Sequence, residues 1–267
     1  MPIYSNDGSS SDGFIETGTG TTALTTVDGR TCWQIKGNAT PGATAYSSNT
    51  KDIGEPPALF AVEATLKHVT LGTVAADNRF SLIARRGDVS MAVAFGTDGL
   101  FVNDGVSNVK VGSITVETGQ WTWWAFLINA TTAASATVDI LKDGVVVATG
   151  VDCSLTGTFT NGNFSLTQYA TTLGNTETLV DSFLIRRPYY LSGTIKERAS
   201  VDTGEFDYAV IESLTDDLFA ASTTVSRAFS VMVPSNTTLY DVVALDPAGT
   251  YGPKNIAERV TAIEAEA

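Results

Sequence analysis

The feature that most constrains the fold is a strand-like run that carries three of the chain's four tryptophans. Residues 120–129 read Gln-Trp-Thr-Trp-Trp-Ala-Phe-Leu-Ile-Asn. In an extended strand, Trp121 and Trp123 share one face and Trp124 lies on the other. Both faces are largely apolar, which is typical of a strand that is covered on both sides. We therefore predict a central strand with Trp121 and Trp123 in the core and Trp124 as the surface contact.

Short alternating runs separated by turn signals continue on both sides of this strand. Residues 136–149 turn on Asp143-Gly144, a dipeptide that favours tight hairpins because its residues tolerate positive φ. Residues 58–69 alternate between an apolar face and a partly polar one, as in a strand with one wet side. No helical periodicity up to the tryptophan run is long enough to cross between parallel strands, which excludes an α/β fold. The pattern predicts an all-β, antiparallel fold.

Three segments in this order resemble the laminin-G-type, concanavalin A-like jelly roll. They are the tryptophan run, the strand that ends in Lys142-Asp143-Gly144-Val145, and residues 179–187, which read Leu-Val-Asp-Ser-Phe-Leu-Ile-Arg-Arg. Residues 190–196 fit the closing segment, so the resemblance covers about residues 12–200. It implies two antiparallel sheets packed face to face, with a concave face that often binds glycans. Lectin-like modules, glycan lyases, glucanases and domains of virus particles share this fold, so the fold leaves function open.

Three parts are expected along the chain: a polar arm over residues 1–20, the jelly roll over 21–200, and an extension over 201–267 with further strands and a terminal helix. Pro253 suits the first turn of that helix, and an apolar stripe follows it. The stripe must bury against this protein or another subunit, which suggests a role in anchoring or assembly. Its residues are Ile256, Val260 and Ile263. The alternative is that the extension completes the same fold.

The charge of the chain limits its partners. A net charge of −13 and a pI of about 4.4 exclude unaided binding to nucleic acid or to an anionic membrane, since both need clustered Lys and Arg. The sequence shows neither a run of 18 apolar residues nor a signal-like N-terminus, so we expect a soluble chain without a cleavable signal. Cys32 and Cys153 allow either one disulfide or two buried thiols. His68, the sole histidine, is expected to be an ordinary strand residue.

The resemblance implies a pattern of acidic residues that an enzyme of this kind would carry. Glucanases of this superfamily place two Glu and an Asp in a Glu-x-Asp-x-Glu or Glu-x-Asp-x-x-Glu pattern on one strand, because retaining cleavage needs two carboxyls about 5–5.5 Å apart. The nearest match is Glu205 with Asp207, but the next acid, Glu212, would face the other way and the run lies beyond the expected jelly roll. We therefore predict that the chain is not an enzyme.

Candidate binding residues come from exposed aromatics and from acids in turns. Four aromatic residues are candidates to stack on sugar rings: Tyr46, Trp124, Tyr169 and Tyr189. Asp77 and Asp104 lie in turns and could hold a structural Ca²⁺, with turn capping as the alternative. No other cofactor is expected.

The sequence favours a structural and interaction protein, most simply a bacteriophage virion component such as a capsid decoration, fibre or tail protein with a lectin-like domain. Such a protein is made in the host cytoplasm and assembles with other virion or self subunits. The alternative is a carbohydrate-binding module or adhesin, extracellular or on a cell surface, that acts on host or environmental polysaccharide. Glycans are possible partners in both cases.

Overall fold

The computed structural model describes most of the first two thirds of the chain and the strands of the last third. The described residues are 2–8, 14–38, 45–54, 56–86, 89–104, 106–130, 136–153, 155–156, 162–173, 175–194, 207–212, 218–223, 228–233, 240–245, 254–260 and 263–264. Regular structure in these ranges is β-strand, with no helix. No helix among them is therefore long and apolar enough to cross a membrane.

The chain divides into two compact units, Met1–Arg187 with Ala267, and Pro188–Glu266. The described part of the first unit forms strands that are numbered in chain order. They are β1 (Pro2–Asn6), β2 (Ile15–Gly18), β3 (Thr21–Val27), β4 (Arg30–Asn38), β5 (Ala45–Asp52), β6 (Leu59–Thr70), β7 (Phe80–Arg86), β8 (Val89–Gly96), β9 (Gly99–Asn103), β10 (Asn108–Lys110), β11 (Trp121–Asn129), β12 (Thr137–Lys142), β13 (Val145–Asp152), β14 (Leu155–Thr156), β15 (Asn163–Ala170) and β16 (Asn175–Arg186).

Two antiparallel sheets make up this unit. The first has the order β13-β12-β11-β6-β16-β4-β3, with β1 also paired to β16. The second has the order β10-β9-β8-β7-β15-β5-β2, with β14 paired to β8. Hairpins supply runs of consecutive neighbours, such as β11-β12-β13 and β7-β8-β9-β10, while other neighbours, such as β6 and β16, are distant in sequence because the chain crosses between the two sheets. The predicted all-β, two-sheet jelly-roll sandwich is confirmed.

The core between the sheets includes Trp124, and this corrects the predicted orientation of the tryptophans. Trp124 is 1% exposed and stacks on Phe126, with ring centroids 6.4 Å apart. Trp121 and Trp123 are only half-buried and lie on the opposite face. The reason is the register with β6, which sets Trp124 opposite Ala64, a member of the core-facing apolar row of that strand. The sequence of β11 alone could not show which face is buried, because both of its faces are apolar. The pairing with β6 decides the orientation.

The segment predicted to be a polar arm belongs to the sandwich. β1 pairs with the end of β16, and β2 pairs with β5 at the edge of the second sheet. Phe14, which lies between these strands in sequence, packs edge-on against the core residue Trp33 at 4.8 Å between ring centroids. Backbone pairing to existing strands orders a stretch whose side chains are mostly polar.

The second unit begins at Pro188, earlier than the predicted boundary at residue 201. Its described strands form two antiparallel sheets, of order β20-β17-β23 and β19-β18-β21-β22. Tyr240 and Val242 are buried. The strands are β17 (Tyr189–Thr194), β18 (Asp207–Glu212), β19 (Leu218–Thr223), β20 (Ala228–Val233), β21 (Tyr240–Leu245), β22 (Lys254–Val260) and β23 (Ile263–Glu264).

Strands replace the predicted terminal helix. β22 pairs along β21, with Tyr240 opposite Val260 and Val242 opposite Ala257, so its backbone groups are bonded in a ladder. The apolar residues are spaced as in a helix, but the backbone of this segment pairs with β21 and forms a strand. The side chains of Ile256, Val260 and Ile263 lie outside the described set, so their role in assembly stays a prediction.

Both cysteines are free buried thiols, which settles the alternative that the sequence left open. Cys32 and Cys153 are each fully buried. Burial raises the pKa of Cys153 to about 12 and also raises that of Cys32. These thiols are therefore held in the protonated, unreactive form.

Candidate functional site

The outer face of the first sheet carries the two half-buried tryptophans. Because directly paired residues of an antiparallel sheet share a face, the register gives the neighbours of each indole. Trp121 lies opposite Lys67, and Trp123 lies opposite Thr65. Ser182 of β16 lies opposite Thr65 on its other side. We call this surface the tryptophan face and define it by Glu63, Thr65, Lys67, Trp121, Trp123 and Ser182.

A cleft of about 550 Å³ opens on this face. Ser5 and Asp7 at one end, Thr65 and Ser182 in the middle, and Trp123 at the other end contribute to its lining. These residues come from or adjoin β1, β16, β6 and β11, which are successive neighbours, so the cleft extends over roughly 14 Å at the usual strand spacing. Its volume lies within the range of small-molecule clefts, about 300–1,000 Å³.

Trp123 is anchored through its backbone and leaves its ring available. Its N–H donates to Oδ1 of Asp143 at 2.9 Å, and its carbonyl accepts from the N–H of Asp143 at 2.8 Å. Asp143 opens the turn between β12 and β13 with a φ of 48°. Among the described residues, no ring or cation packs on the Trp123 indole. The arrangement holds a flat apolar ring in fixed position at the cleft.

Trp121 differs from Trp123 because charged side chains surround it. Its Nε1–H donates to Oδ2 of Asp28 at 3.1 Å, and Lys67 donates to the same oxygen at 2.6 Å. The guanidinium of Arg30 lies 5.3 Å from the ring centroid and pairs with Asp181 at 2.6 Å. The hydrogen bonds from Lys67 and Trp121 lower the pKa of Asp28. Trp121 is thus part of a structural network, while Trp123 is open.

A buried ion pair supports one wall of the cleft. Glu63 and Arg186 are 7% and 1% exposed, and their side chains form a direct salt bridge. Arg186 also donates to the carbonyl of Arg187 at 2.9 Å. Burial raises the pKa of Glu63, and the adjacent Arg186 guanidinium opposes that rise. The two charges neutralise each other, and the pair holds this part of the wall in place.

The end of the cleft formed by β1 depends on a close backbone contact. Gly8 has a φ of +76° and lies so close to β16 that a Cβ there would be 2.1 Å from the carbonyl oxygen of Asp181. Its N–H donates to Oδ1 of Asn6 at 2.7 Å. Only glycine fits both the conformation and the space, so the sequence fixes where β1 leaves the sheet.

Two of the four predicted sugar-binding aromatics, Tyr46 and Tyr169, lie opposite each other in the register of β5 and β15. Trp124 is in the core, so its prediction is wrong. Tyr169 is half-buried on the second sheet, with the Arg79 guanidinium 4.7 Å from its ring centroid. The side chains of Tyr46 and Tyr189 lie outside the described set. Trp123 was not among the residues predicted to bind sugar. The one feature that could have indicated it is the partly polar face of residues 58–69, because a residue that pairs with this face lies on the outer side of the sheet.

The acids predicted as metal ligands have protein partners in their turns. Asp77 pairs with Arg79 at 3.2 Å. Asp104 accepts from the N–H groups of Val106 and Ser107, both at 2.8 Å, and these bonds lower its pKa. Within the described ranges, no group of three or more His, Cys, Asp or Glu residues is arranged to hold a metal ion. Both acids have partners within or beside their turns, and a structural Ca²⁺ at these positions stays a prediction.

The acids that partly matched the glucanase pattern lie outside the part of the chain where side chains are described. Glu205 is not among the described residues. Asp207 and Glu212 are the first and last residues of β18, in the second unit, and their side chains lie outside the described set.

Comparisons with known proteins identify the fold of the chain but assign the chain to no family. No protein-family model and no curated protein matches the chain. Among solved structures, a carbohydrate esterase of the Shiga toxin-encoding bacteriophage phi24B matches with a TM-score of 0.50 at 16% identity, over 69% of this chain and 97% of that one. An endo-β-1,4-glucuronan lyase from the fungus Trichoderma reesei matches with a TM-score of 0.46 at 13% identity, over 70% and 95%. The lectin UEA-II, complexed with galactose, matches with a TM-score of 0.42 at 12% identity, over 68% and 97%.

These comparisons overturn the prediction that the chain is not an enzyme. That prediction took a jelly roll without a recognisable glucanase motif as evidence against catalysis. The matching structure with a TM-score of 0.50 is a carbohydrate esterase, so a fold of this kind also carries enzymes that are not glucanases. The chain has a jelly-roll fold similar to that of this carbohydrate esterase, and the fold alone does not decide whether the chain is an enzyme.

Proposed function

We propose that the chain binds glycans in the cleft of the tryptophan face, with Trp123 as the stacking platform. The observation that carries this proposal is a half-buried indole, held by its backbone and without a ring or cation partner among the described residues, at the end of a cleft of about 550 Å³. A ligand that covers the remaining apolar surface of this indole gains free energy from its burial.

The chemistry of the cleft suits a sugar better than a purely apolar ligand. A sugar ring offers C–H groups on its faces and hydroxyls around its edge, so it needs an apolar plate with hydrogen-bonding groups beside it. Trp123 supplies the plate. Thr65 and Ser182, whose hydroxyls are 3.2 Å apart, supply neutral donors and acceptors, and Asp7 supplies a carboxylate. The fold shared with a carbohydrate esterase is consistent with this proposal.

A substitution at Trp123 tests the proposal. A glycan array identifies a ligand for the unaltered protein, and isothermal titration then measures its Kd. We expect Trp123→Ala to weaken binding at least tenfold, or about 1.4 kcal/mol, and Trp123→Phe to keep part of the affinity because a ring remains. Tyr169→Ala is the matched control, a half-buried aromatic on the other sheet, and should bind as the unaltered protein does. Equal binding by Trp123→Ala, or no retained glycan, would refute the proposal.

We further propose a setting for this activity in a bacteriophage virion, where the protein attaches to host polysaccharide after assembly with virion or self subunits. Support comes from the sequence interpretation and from the match to a bacteriophage esterase. An adhesin or carbohydrate-binding module on a cell surface is the other setting. Light scattering separates them in part: we expect self-association of the purified chain, and a strictly monomeric protein would count against the virion setting.

A further inference from the structure

We infer that the ligand of the cleft is an uncharged glycan and not a polyuronate or another acidic polysaccharide. This inference rests on the proposed function and names the substrate class of the same site. It is drawn from how the positive charges of the face are already paired.

The cations around the tryptophans have carboxylate partners within the protein. Lys67 contacts Asp28 at 2.6 Å. Arg30 contacts Asp181 at 2.6 Å, and the Arg186 guanidinium is paired with Glu63. Lys36, further along the same face, lies 3.6 Å from Glu177.

An acidic sugar would have to compete for these cations. Proteins recognise carboxylates mainly through Arg or Lys groups that donate charge-assisted hydrogen bonds. Each such group here already donates to a carboxylate, so a uronate could bind only by displacing that acid and leaving it next to another negative charge. For Arg186, which is 1% exposed, the exchange would also require opening a buried pair.

The electrostatic field of the whole chain also disfavours an acidic ligand. The chain has a net charge of −13. A polyanion approaching this surface is repelled at low ionic strength. A neutral sugar experiences no such repulsion, and its hydroxyls can exchange hydrogen bonds with Thr65 and Ser182, which line the cleft.

The test compares neutral and acidic oligosaccharides of equal length on the full chain. The probes are hexasaccharides of β-1,4-glucose and β-1,3-glucose on one side, and of β-1,4-glucuronate and alginate on the other. Isothermal titration at about 20 mM and about 300 mM NaCl spans strong and weak screening. We expect at least one neutral hexasaccharide to bind with a Kd that changes less than about twofold with salt, and both uronates to bind at least tenfold more weakly.

A charge variant gives the second measurement. Asp28→Asn removes the carboxylate that neutralises Lys67 while it keeps a side-chain oxygen for Trp121, so uronate affinity should rise several-fold and become salt-dependent. Asp52→Asn, an exposed acid on the second sheet, is the control and should change nothing.

Three results are decisive. A neutral hexasaccharide bound in preference to the uronates supports the inference. A uronate bound as tightly as the neutral sugars, with affinity that falls as salt rises, overturns the inference and leaves glycan binding standing. Failure of all four probes and of the glycan array overturns the proposed function, and the inference with it.

Discussion

Glu63 and Arg186 form a buried salt bridge between β6 and β16, and Glu63 lines the cleft of the tryptophan face. Removing one partner leaves the other as a buried charge without its counterion. We expect Glu63→Leu to lower the free energy of unfolding by about 3–5 kcal/mol. Urea denaturation monitored by tryptophan fluorescence measures the change.

The double variant Glu63→Leu with Arg186→Met is the control for this prediction. It replaces both charges with apolar groups of similar size, and buried pairs exchanged in this way are often neutral or stabilising. We expect its free energy of unfolding to lie within about 1–2 kcal/mol of the original. If the single and double variants lose the same stability, the cost comes from packing and not from an unpaired charge.

Trp123 and Trp124 lie on opposite faces of β11, so we expect their substitution to lower stability by different amounts. Trp124→Ala removes an indole that is 1% exposed and packs on Phe95 and Phe126, and should cost about 3–5 kcal/mol of stability. Trp123→Ala removes a half-buried ring and should cost less than half as much. Thermal and urea unfolding of the two variants provide the comparison. Equal losses would contradict the observed orientation of the strand.

That orientation marks the limit of what the sequence could predict. Alternation identified β11 as a strand and β6 as a strand with a partly polar side that includes Glu63 and Lys67, although Glu63 on that side is buried in its pair with Arg186. Neither pattern shows which face of β11 is inside, because both of its faces are apolar. The choice depends on the register that sets Trp124 against Ala64, a contact between segments about sixty residues apart.

Because Gly8 has no side chain, β1 can approach β16 closely, and we expect the cleft to depend on this glycine. Gly8→Ala would place a Cβ 2.1 Å from the carbonyl oxygen of Asp181, so β1 must move off β16 and the cleft loses Ser5 and Asp7. We expect glycan affinity to fall at least tenfold, with about 2–3 kcal/mol of lost stability from backbone strain and the clash. Titration calorimetry and urea denaturation measure the two effects.

Gly54→Ala is a matched control for this variant. Gly54 has a φ of +72°, close to that of Gly8, and its N–H likewise donates to a side-chain oxygen two residues earlier, at 2.9 Å from Asp52. A Cβ at Gly54 meets nothing within 4 Å, so this change costs only the strain of the conformation, about 1 kcal/mol. If both glycine variants bind glycan equally well, the close approach at Asp181 does not hold the cleft together.

The ends of the chain were harder to predict than its centre for a related reason. β1 and β2 have few apolar residues, and they are ordered by pairing with β16 and β5, which no local pattern reveals. At the other end, the apolar spacing of residues 256, 260 and 263 matched a helix, but pairing with β21 made residues 254–260 a strand. Propensity and periodicity are weak where an existing strand edge offers hydrogen-bond partners.

His68 predicts how stability depends on pH. The side chain is 2% exposed between Phe80 and Phe95, its Nδ1 is 3.0 Å from Oγ1 of Thr178, and its Nε2 has no hydrogen-bond partner in the described part of the chain. Burial therefore lowers the pKa of His68 from 6.5 to about 3. The unfolded chain then binds a proton that the folded protein does not, over the range between these two values.

The sign follows from that difference in bound protons. This histidine costs no stability above about pH 6.5, and its contribution falls as the pH decreases from there toward 3, by about 2–3 kcal/mol at pH 4.5. His68→Leu should remove this part of the pH dependence while the carboxylates keep theirs, so urea denaturation at about pH 7 and pH 4.5 gives the difference. Because the chain has one histidine, a single NMR ring resonance reports its titration. A midpoint near 6.5 in the folded protein would contradict the prediction.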